Sequence, residues 1–83
     1  PLYRVIYVND EKTTMEFVVQ SLINHFEYTS ESAAKLMANI HTNGSAVVSV
    51  LPFEIAEQKG IDVTIEARQA GFPLQIKIEP DES

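Results

Sequence analysis

The sequence lacks cysteine and is poor in basic residues. None of its 83 residues is cysteine, which excludes disulfide bonds, thiolate metal sites and cysteine nucleophiles. Its six Lys and Arg residues are scattered singly among twelve Asp and Glu residues, so the formal net charge is −6. An acidic chain without a basic cluster repels phosphate backbones, and we therefore expect no nucleic-acid partner.

Long apolar runs are also absent. No stretch approaches the roughly 20 apolar residues that cross a bilayer, and the chain does not open with the charged and apolar regions of a signal peptide. We expect a soluble, cytoplasmic, monomeric protein without a membrane partner. The length suits one domain, residues 1–83, whose small core needs most of the apolar side chains. Because the chain starts at Pro1 rather than Met, we expect it to be a piece of a longer one.

A strand and a helix are predicted at the start of the chain. Residues 3–8 are mostly β-branched or aromatic, as in a half-buried strand. Thr13 with Glu16 three residues later matches a capping box, and apolar residues follow it at helical spacing. This pattern predicts a first helix over about residues 14–27.

A second helix follows after a short break. Thr29 or Ser30 can cap it, and Gly44 can end it in a left-handed conformation. The remaining predicted elements are a strand at 46–51, a long helix that Pro52 opens and Gly71 closes, a strand at 74–79 and a frayed tail, Pro80–Ser83.

The predicted order β-α-α-β-α-β indicates the α+β class. Three strands are too few for a sheet that is covered on both faces, so we expect a three-stranded antiparallel sheet with the helices packed on one side. The alternation of apolar and polar residues at 74–79 agrees, because it is typical of a strand with one solvated face.

Five short motifs occur in order along the chain. They are Asn-Asp and a further acid at 9–11, Thr-x-Met-Glu-Phe-Val at 13–18, Leu-Met-x-x-Ile-His at 36–41, Glu-x-Ala-Glu-x-Lys at 54–59 and Pro-Leu at 73–74. In these motifs, and over residues 3–79 as a whole, the chain resembles the ClpS family of adaptors. The resemblance implies the same α+β arrangement.

The resemblance also implies a role in regulated proteolysis. Members of that family recognise destabilising N-terminal residues (N-degrons), namely Leu, Phe, Tyr and Trp. They deliver the proteins that carry them to the ClpA unfoldase of the AAA+ ClpAP protease. Such an adaptor is not an enzyme, and it needs no catalytic residue, cofactor or metal.

Three sets of residues match those that the family uses. Asn9, Asp10 and His41 correspond to the residues that hold the α-amino group of the target, and they offer acceptors to the three N–H donors of an ammonium. A second set forms the pocket for the first side chain, and a third contacts the N-terminal domain of the unfoldase. The pocket set is Thr13, Met15, Val18, Met37, Ile40 and Leu74, and the docking set is Glu54, Glu57 and Lys59.

Each of these residues has a simpler explanation without the resemblance. Asn9 and Asp10 are typical of an Asx turn ahead of a helix, and the apolar set is typical of a core. His41 can complement a helix dipole, and the docking set can be a solvated helix face. His25 has no acidic or histidine partner at metal spacing, so we expect it on the surface.

Two other classes of function are compatible with this length. An enzyme is not supported, because the sequence has no nucleophile elbow, no Gly-rich phosphate loop and no pair of histidines four residues apart. A structural interaction module of the ribosomal stalk type is the remaining alternative. The motifs around Asn9 and His41 favour recognition of a peptide terminus over that module.

The chain departs from the family pattern at three positions. Thr14 stands where Pro is common, which frees φ in the first helical turn and loosens the edge of the pocket. Glu11 replaces a frequent Asp. Ile40 occupies a position that is often Val, which adds a methylene group to the pocket lining.

Overall fold

β1 (Leu2–Val8) is the central strand of the sheet in the computed structural model, which describes residues 1–82. β2 (Ser45–Pro52) and β3 (Gln75–Pro80) pair with it on either side, both antiparallel, so the strand order is β2-β1-β3. The predicted order β-α-α-β-α-β and the α+β class are confirmed, with the helices on one side of the sheet. The helices are α1 (Met15–Phe26), α2 (Ser30–Asn43) and α3 (Phe53–Gln69).

The alternation of side chains along β1 separates the two faces of the sheet. Val5 and Tyr7 are fully buried on the face that the helices cover. Arg4 lies on the opposite face, where its Nη2 atom is 3.5 Å from Oε1 of Glu79. The pairing register with β2 shifts just after Val5, and this bulge lets Val48 also turn into the core, where it is 4% exposed.

A buried hydrogen bond joins β1 to α1. The Tyr7 hydroxyl lies 2.8 Å from Ser21 Oγ, and Ser21 Oγ donates to the Val18 carbonyl at 2.8 Å. Because the serine hydroxyl has one proton, Tyr7 is the donor in the first bond. Burial raises the pKa of Tyr7 well above its ordinary value, so the phenol stays neutral and fixes α1 over the sheet.

The N-terminus of α1 differs from the predicted capping box. Thr14 rather than Thr13 is the N-cap, and its Oγ1 atom accepts a hydrogen bond from the Phe17 N–H at 3.1 Å. Thr13 instead donates its N–H and its hydroxyl to the Asp10 carboxylate. The predicted box was wrong because a charged acceptor only three residues away competes successfully for Thr13. At α2, by contrast, Thr29 is the cap, as predicted.

β3 extends beyond the predicted strand. Pro80 pairs with Tyr3, and the Asp81 N–H donates to the Leu2 carbonyl at 2.9 Å. The prediction that a frayed tail begins at Pro80 is therefore wrong for these two residues, and Ser83 lies outside the described residues. A proline is tolerated here because β3 is an edge strand that pairs on one side only, so the missing N–H of proline costs little pairing.

Two polar contacts fasten α3 to the end of α1. His25 Nε2 lies 2.9 Å from Oε2 of Glu66, and the His25 side chain is only 18% exposed. Lys59 Nζ donates to the His25 carbonyl at 2.7 Å and lies 5.6 Å from the centre of the Phe26 ring. The prediction of His25 as a surface residue was wrong, because its partner is distant in the sequence and is brought to it by helix packing.

Candidate functional site

A cavity of about 560 Å³ opens where the loop after β1 meets the start of α1 and the end of α2. Val18 and Ile40 are 7% and 3% exposed and form its floor, whereas Met15 is 59% exposed at its rim. The cavity therefore has an apolar interior and a mouth that contains polar groups. Its lining residues are Asn9, Asp10, Glu11, Lys12, Thr13, Thr14, Met15, Val18, Met37, Ile40 and His41.

Helical spacing explains how the apolar part of the wall is assembled. Met15 and Val18 are three residues apart on α1, while Met37, Ile40 and His41 are spaced at i, i+3 and i+4 on α2. Each set therefore shares one helix face, and both faces line the same cavity. Methionine side chains change shape readily, so this wall can accommodate aliphatic and aromatic groups alike.

Asn9 and His41 are brought to the same cavity through Gly44. The Asn9 N–H donates to the Gly44 carbonyl at 2.8 Å, and the Gly44 N–H donates to the Ile40 carbonyl at 2.9 Å. Gly44 has a φ of 88°, a left-handed conformation that favours glycine. Within residues 1–82, the side-chain amide of Asn9 and the ring of His41 are exposed and make no hydrogen bond to another residue. Both groups are therefore free to contact a ligand.

The Asp10 carboxylate organises the loop at the mouth of the cavity. Its Oδ1 atom accepts from the N–H groups of Lys12 at 2.8 Å and Thr13 at 2.7 Å, and its Oδ2 atom accepts from the Thr13 hydroxyl at 2.7 Å. Partial burial acts to raise the pKa of Asp10, but these hydrogen bonds and the charge of Arg68 outweigh it and hold the pKa below its ordinary value. Asp10 is thus ionised at neutral pH, and the Asx turn is observed.

The lowered pKa of Asp10 predicts how the stability of this loop depends on pH. The ionised Asp10 contributes fully to stability above the ordinary aspartate pKa of about 3.9, and this contribution is lost as the pH falls through the lower pKa of Asp10 in the folded protein. We expect Asp10→Asn to be less stable than the parent protein at pH 7, and we expect the gap to shrink below about pH 4. Urea unfolding of both proteins between pH 7 and pH 3 measures the gap, and a gap that widens on acidification contradicts the prediction.

Leu74 is the pocket residue that the structure does not place at the cavity. It is 1% exposed and packs in the core just before β3, and the cavity lining does not include it. Its carbonyl accepts from Arg68 Nη1 at 2.9 Å, which holds this backbone in place. The cavity lining therefore does not support the assignment of Leu74 to the pocket, which stays a prediction; its side chain is part of the buried core. All the other residues predicted for the amino group and the side chain line the cavity.

Three cavity residues were not among the assigned site residues, although the departures from the family pattern had already placed Thr14 at the edge of the pocket. Glu11, Lys12 and Thr14 line it together with their neighbours Asp10 and Thr13. Their continuity with those neighbours was the available signal, because a tight loop around a charged acceptor presents consecutive residues to the same side. Glu11 and Lys12 are exposed and add one charge of each sign to the mouth.

The predicted docking set lies on α3 and does not line the cavity. Glu54 and Glu57 are exposed in the first two turns of the helix. Lys59 is half-buried, because its ammonium group is bound to the end of α1. The exposed charge at the start of α3 is therefore mainly acidic.

Comparison with known proteins identifies the family. A family model described as ATP-dependent Clp protease adaptor protein ClpS matches residues 1–77. This chain belongs to the ClpS family. The ClpS adapter of Desulforapulum autotrophicum is 44% identical to it over 81 residues, which cover 98% of this chain and 78% of the relative. The ClpS adapter of Campylobacter jejuni subsp. jejuni is 42% identical over 80 residues, which cover 96% of this chain and 83% of the relative.

A solved structure of the family has the same fold. It is Agrobacterium tumefaciens ClpS2 bound to L-phenylalaninamide, which matches with a TM-score of 0.93 and 39% identity and covers 96% of both chains. The protein is accordingly a ClpS adaptor of the Clp protease and not an enzyme. None of the helices within residues 1–82 has the length and apolarity needed to cross a membrane.

Proposed function

We propose that this adaptor binds the free N-terminal residue of proteins that begin with Leu, Phe, Tyr or Trp, and delivers them to a ClpA-type unfoldase in the cytoplasm. The observation that carries the proposal is one cavity with two adjoining parts. L-phenylalaninamide, bound to the A. tumefaciens relative, has a free α-amino group and an aromatic side chain, and both suit such a cavity. The polar part is Asn9, Asp10 and His41, and the apolar part is Met15, Val18, Met37 and Ile40.

The polar part is suited to an ammonium group. The Asn9 side-chain oxygen and a neutral ring nitrogen of His41 are unpaired acceptors, and the ionised Asp10 adds negative charge directly or through a bridging water. Charge-assisted hydrogen bonds of this kind stabilise a complex by roughly 1.5 to 3 kcal/mol each. Acetylation removes the charge and most of the donors, so a blocked terminus is rejected.

The apolar part is suited to the first side chain. Burying a Leu or Phe side chain against Val18 and Ile40 contributes roughly 1.5 to 3 kcal/mol, which is comparable with one of the polar contacts. Met15 at the rim and Met37 narrow the entrance. A side chain branched at Cβ, as in Val or Ile, is wide at the entrance and is therefore disfavoured.

Delivery requires a second surface that leaves the cavity free. Glu54 and Glu57 are exposed on α3 and do not line the cavity, so an unfoldase can bind them while a peptide is held. A negative charge in the first turn is also favourable to the helix itself. We therefore assign these two carboxylates to direct contact with the N-terminal domain of the unfoldase. Lys59 contributes to the same surface by holding α3 against α1.

Fluorescence anisotropy with short labelled peptides tests the recognition step. The peptides begin with Leu, Phe, Trp, Ile or Met and are otherwise identical, and each is prepared free and N-acetylated. We expect the free Leu, Phe and Trp peptides to bind at micromolar level or better, about 8 kcal/mol or more. The acetylated peptides should bind at least about 100-fold more weakly, and the free Ile peptide should be weaker than the Leu peptide.

The paired free and acetylated peptides separate recognition of the terminus from nonspecific apolar binding. Equal affinity of the free and acetylated Phe peptides contradicts the proposal, because an apolar cavity alone does not sense the amino group. A set in which all free peptides bind equally contradicts the role of the apolar part.

A further inference from the structure

A second apolar surface lies between α3 and the edge strand β3. It is a groove of about 260 Å³ that shares no lining residue with the peptide cavity. Ile61 and Ile65 of α3 line it and are 46% and 51% exposed, and Ile76 and Ile78 of β3 line the other side. A Cβ atom at Gly60 would lie 3.4 Å from Ile78 Cδ1, so the absence of a side chain there leaves the helix and strand close together at the floor.

The charge at this groove is of one sign. Glu57 lines the groove, and no lysine, arginine or histidine among the described residues does so. Lys59 is the nearest cation along α3, but its ammonium group is bound to the His25 carbonyl on α1. The groove is thus apolar with an acidic edge, and it has no cation of its own to neutralise that edge.

The groove is continuous with the predicted docking residues. Glu54, Glu57, Ile61 and Ile65 are spaced at i, i+3, i+7 and i+11, which places them along one side of α3. The two exposed carboxylates therefore stand at the start of the row whose later members line the groove. A partner that contacts Glu54 and Glu57 reaches Ile61 by extending one turn along the same helix.

Resting on the proposed function, we propose that the unfoldase docking surface extends from Glu54 and Glu57 into this groove. The partner segment that fits carries an apolar side chain, which buries Ile61 and Ile65, next to a Lys or Arg that pairs with Glu57. Exposed isoleucines that border a groove gain from burial in a complex, and the adjacent carboxylate selects a basic partner.

The net charge of the chain disfavours a second copy as the occupant of the groove. The chain carries twelve acidic and six basic residues, with a formal net charge of −6, so two copies repel each other. A partner with a basic and apolar surface avoids this repulsion. The unfoldase is the occupant that the position of the groove favours, because the groove continues the row that begins at the predicted docking residues Glu54 and Glu57.

The test uses the double variant Ile61→Ala with Ile65→Ala, since alanine keeps the helix while it removes the apolar contact area. The matched control is Ile55→Ala, which changes a residue of the same type that is 48% exposed on the same helix but does not line the groove. Binding of each labelled adaptor to the full-length ClpA-type unfoldase of the same organism is measured by anisotropy. We expect the double variant to bind at least tenfold more weakly, and the control to stay within threefold of the parent.

Two further measurements separate this inference from the proposed function. Glu57→Gln should weaken unfoldase binding and make it less dependent on salt, and all these variants should keep the parent affinity for a free Phe-initiated peptide. If Glu54→Ala weakens unfoldase binding while the double isoleucine variant does not, the groove inference is overturned and the docking role of α3 stands. If none of the variants affects unfoldase binding, the groove inference and the docking role of α3 are both overturned. Self-association of the parent that the double variant abolishes identifies a second copy as the occupant and also overturns the inference.

Discussion

Affinity for a Phe-initiated peptide is expected to fall by at least about 100-fold when Asn9 and His41 are both replaced by alanine. Each of these groups is an unpaired acceptor at the cavity, and each lost charge-assisted hydrogen bond costs roughly 1.5 to 3 kcal/mol, so the two together cost about 3 kcal/mol or more. Calorimetry or anisotropy at neutral pH measures the loss. Both side chains are exposed, and the Asn9 N–H keeps its bond to the Gly44 carbonyl after the change.

The control for this variant is Asn24→Ala, which removes an exposed amide on α1 outside the cavity. It should bind the peptide as the parent does. The melting temperature of the double variant should also stay near that of the parent, so that weaker binding reflects the site and not the fold. A double variant that binds within threefold of the parent shows that Asn9 and His41 do not hold the amino group.

Leu74→Ala is expected to destabilise the fold by about 2 to 5 kcal/mol without a direct effect on the peptide site. The side chain is 1% exposed, so its truncation loses burial and leaves a cavity in the core. A domain of this size has a free energy of unfolding of only about 4 to 12 kcal/mol. Urea unfolding and the melting temperature measure the loss, and a loss of 3 kcal/mol lowers the melting temperature by about 12 to 24 °C.

The matched control is Leu2→Ala, since Leu2 is the same residue type but is 48% exposed. It should cost less than half as much as Leu74→Ala. At a temperature where the Leu74 variant remains folded, its affinity for the Phe-initiated peptide should stay within threefold of the parent. A large loss of affinity with unchanged stability is the opposite pattern, and it would restore Leu74 to the pocket.

The variants of α3 at the docking residues and the groove differ in kind from the cavity variant and the core variant. They change exposed residues of α3, so they are expected to alter unfoldase binding and not folding or peptide affinity. Together the three sets of variants assign a separate readout to the cavity, the core and the outer face of α3.

The secondary structure was largely predictable because local periodicity records which side of each element is buried. Val5 and Tyr7 alternate with more exposed neighbours, and the helices repeat their apolar residues at helical spacing. One source of error in the predicted structure was the competition between two local interactions for the same residue. Thr13 has the spacing of a cap, yet the Asp10 carboxylate takes its donors and leaves Thr14 as the cap.

Long-range contacts were the second source of error. His25 and Glu66 are 41 residues apart, and Lys59 lies 34 residues from the carbonyl that it contacts. Neither pairing leaves a periodic signal in the sequence. The partial burial of His25 and the loss of Lys59 as a free surface cation therefore follow only from the packing of α1 against α3.

The sequence alone determined the order of the elements, the class of the fold and the family of the protein, because short motifs and burial periodicity are properties of neighbouring residues. Tertiary structure decided which apolar residues surround an open cavity and which fill the core. Ile40 and Leu74 are both aliphatic residues of the same size and are nearly equally buried, yet of the two only Ile40 lines the cavity. That difference depends on whether another part of the chain occupies the adjacent space, which is settled only when the helices and the sheet pack together.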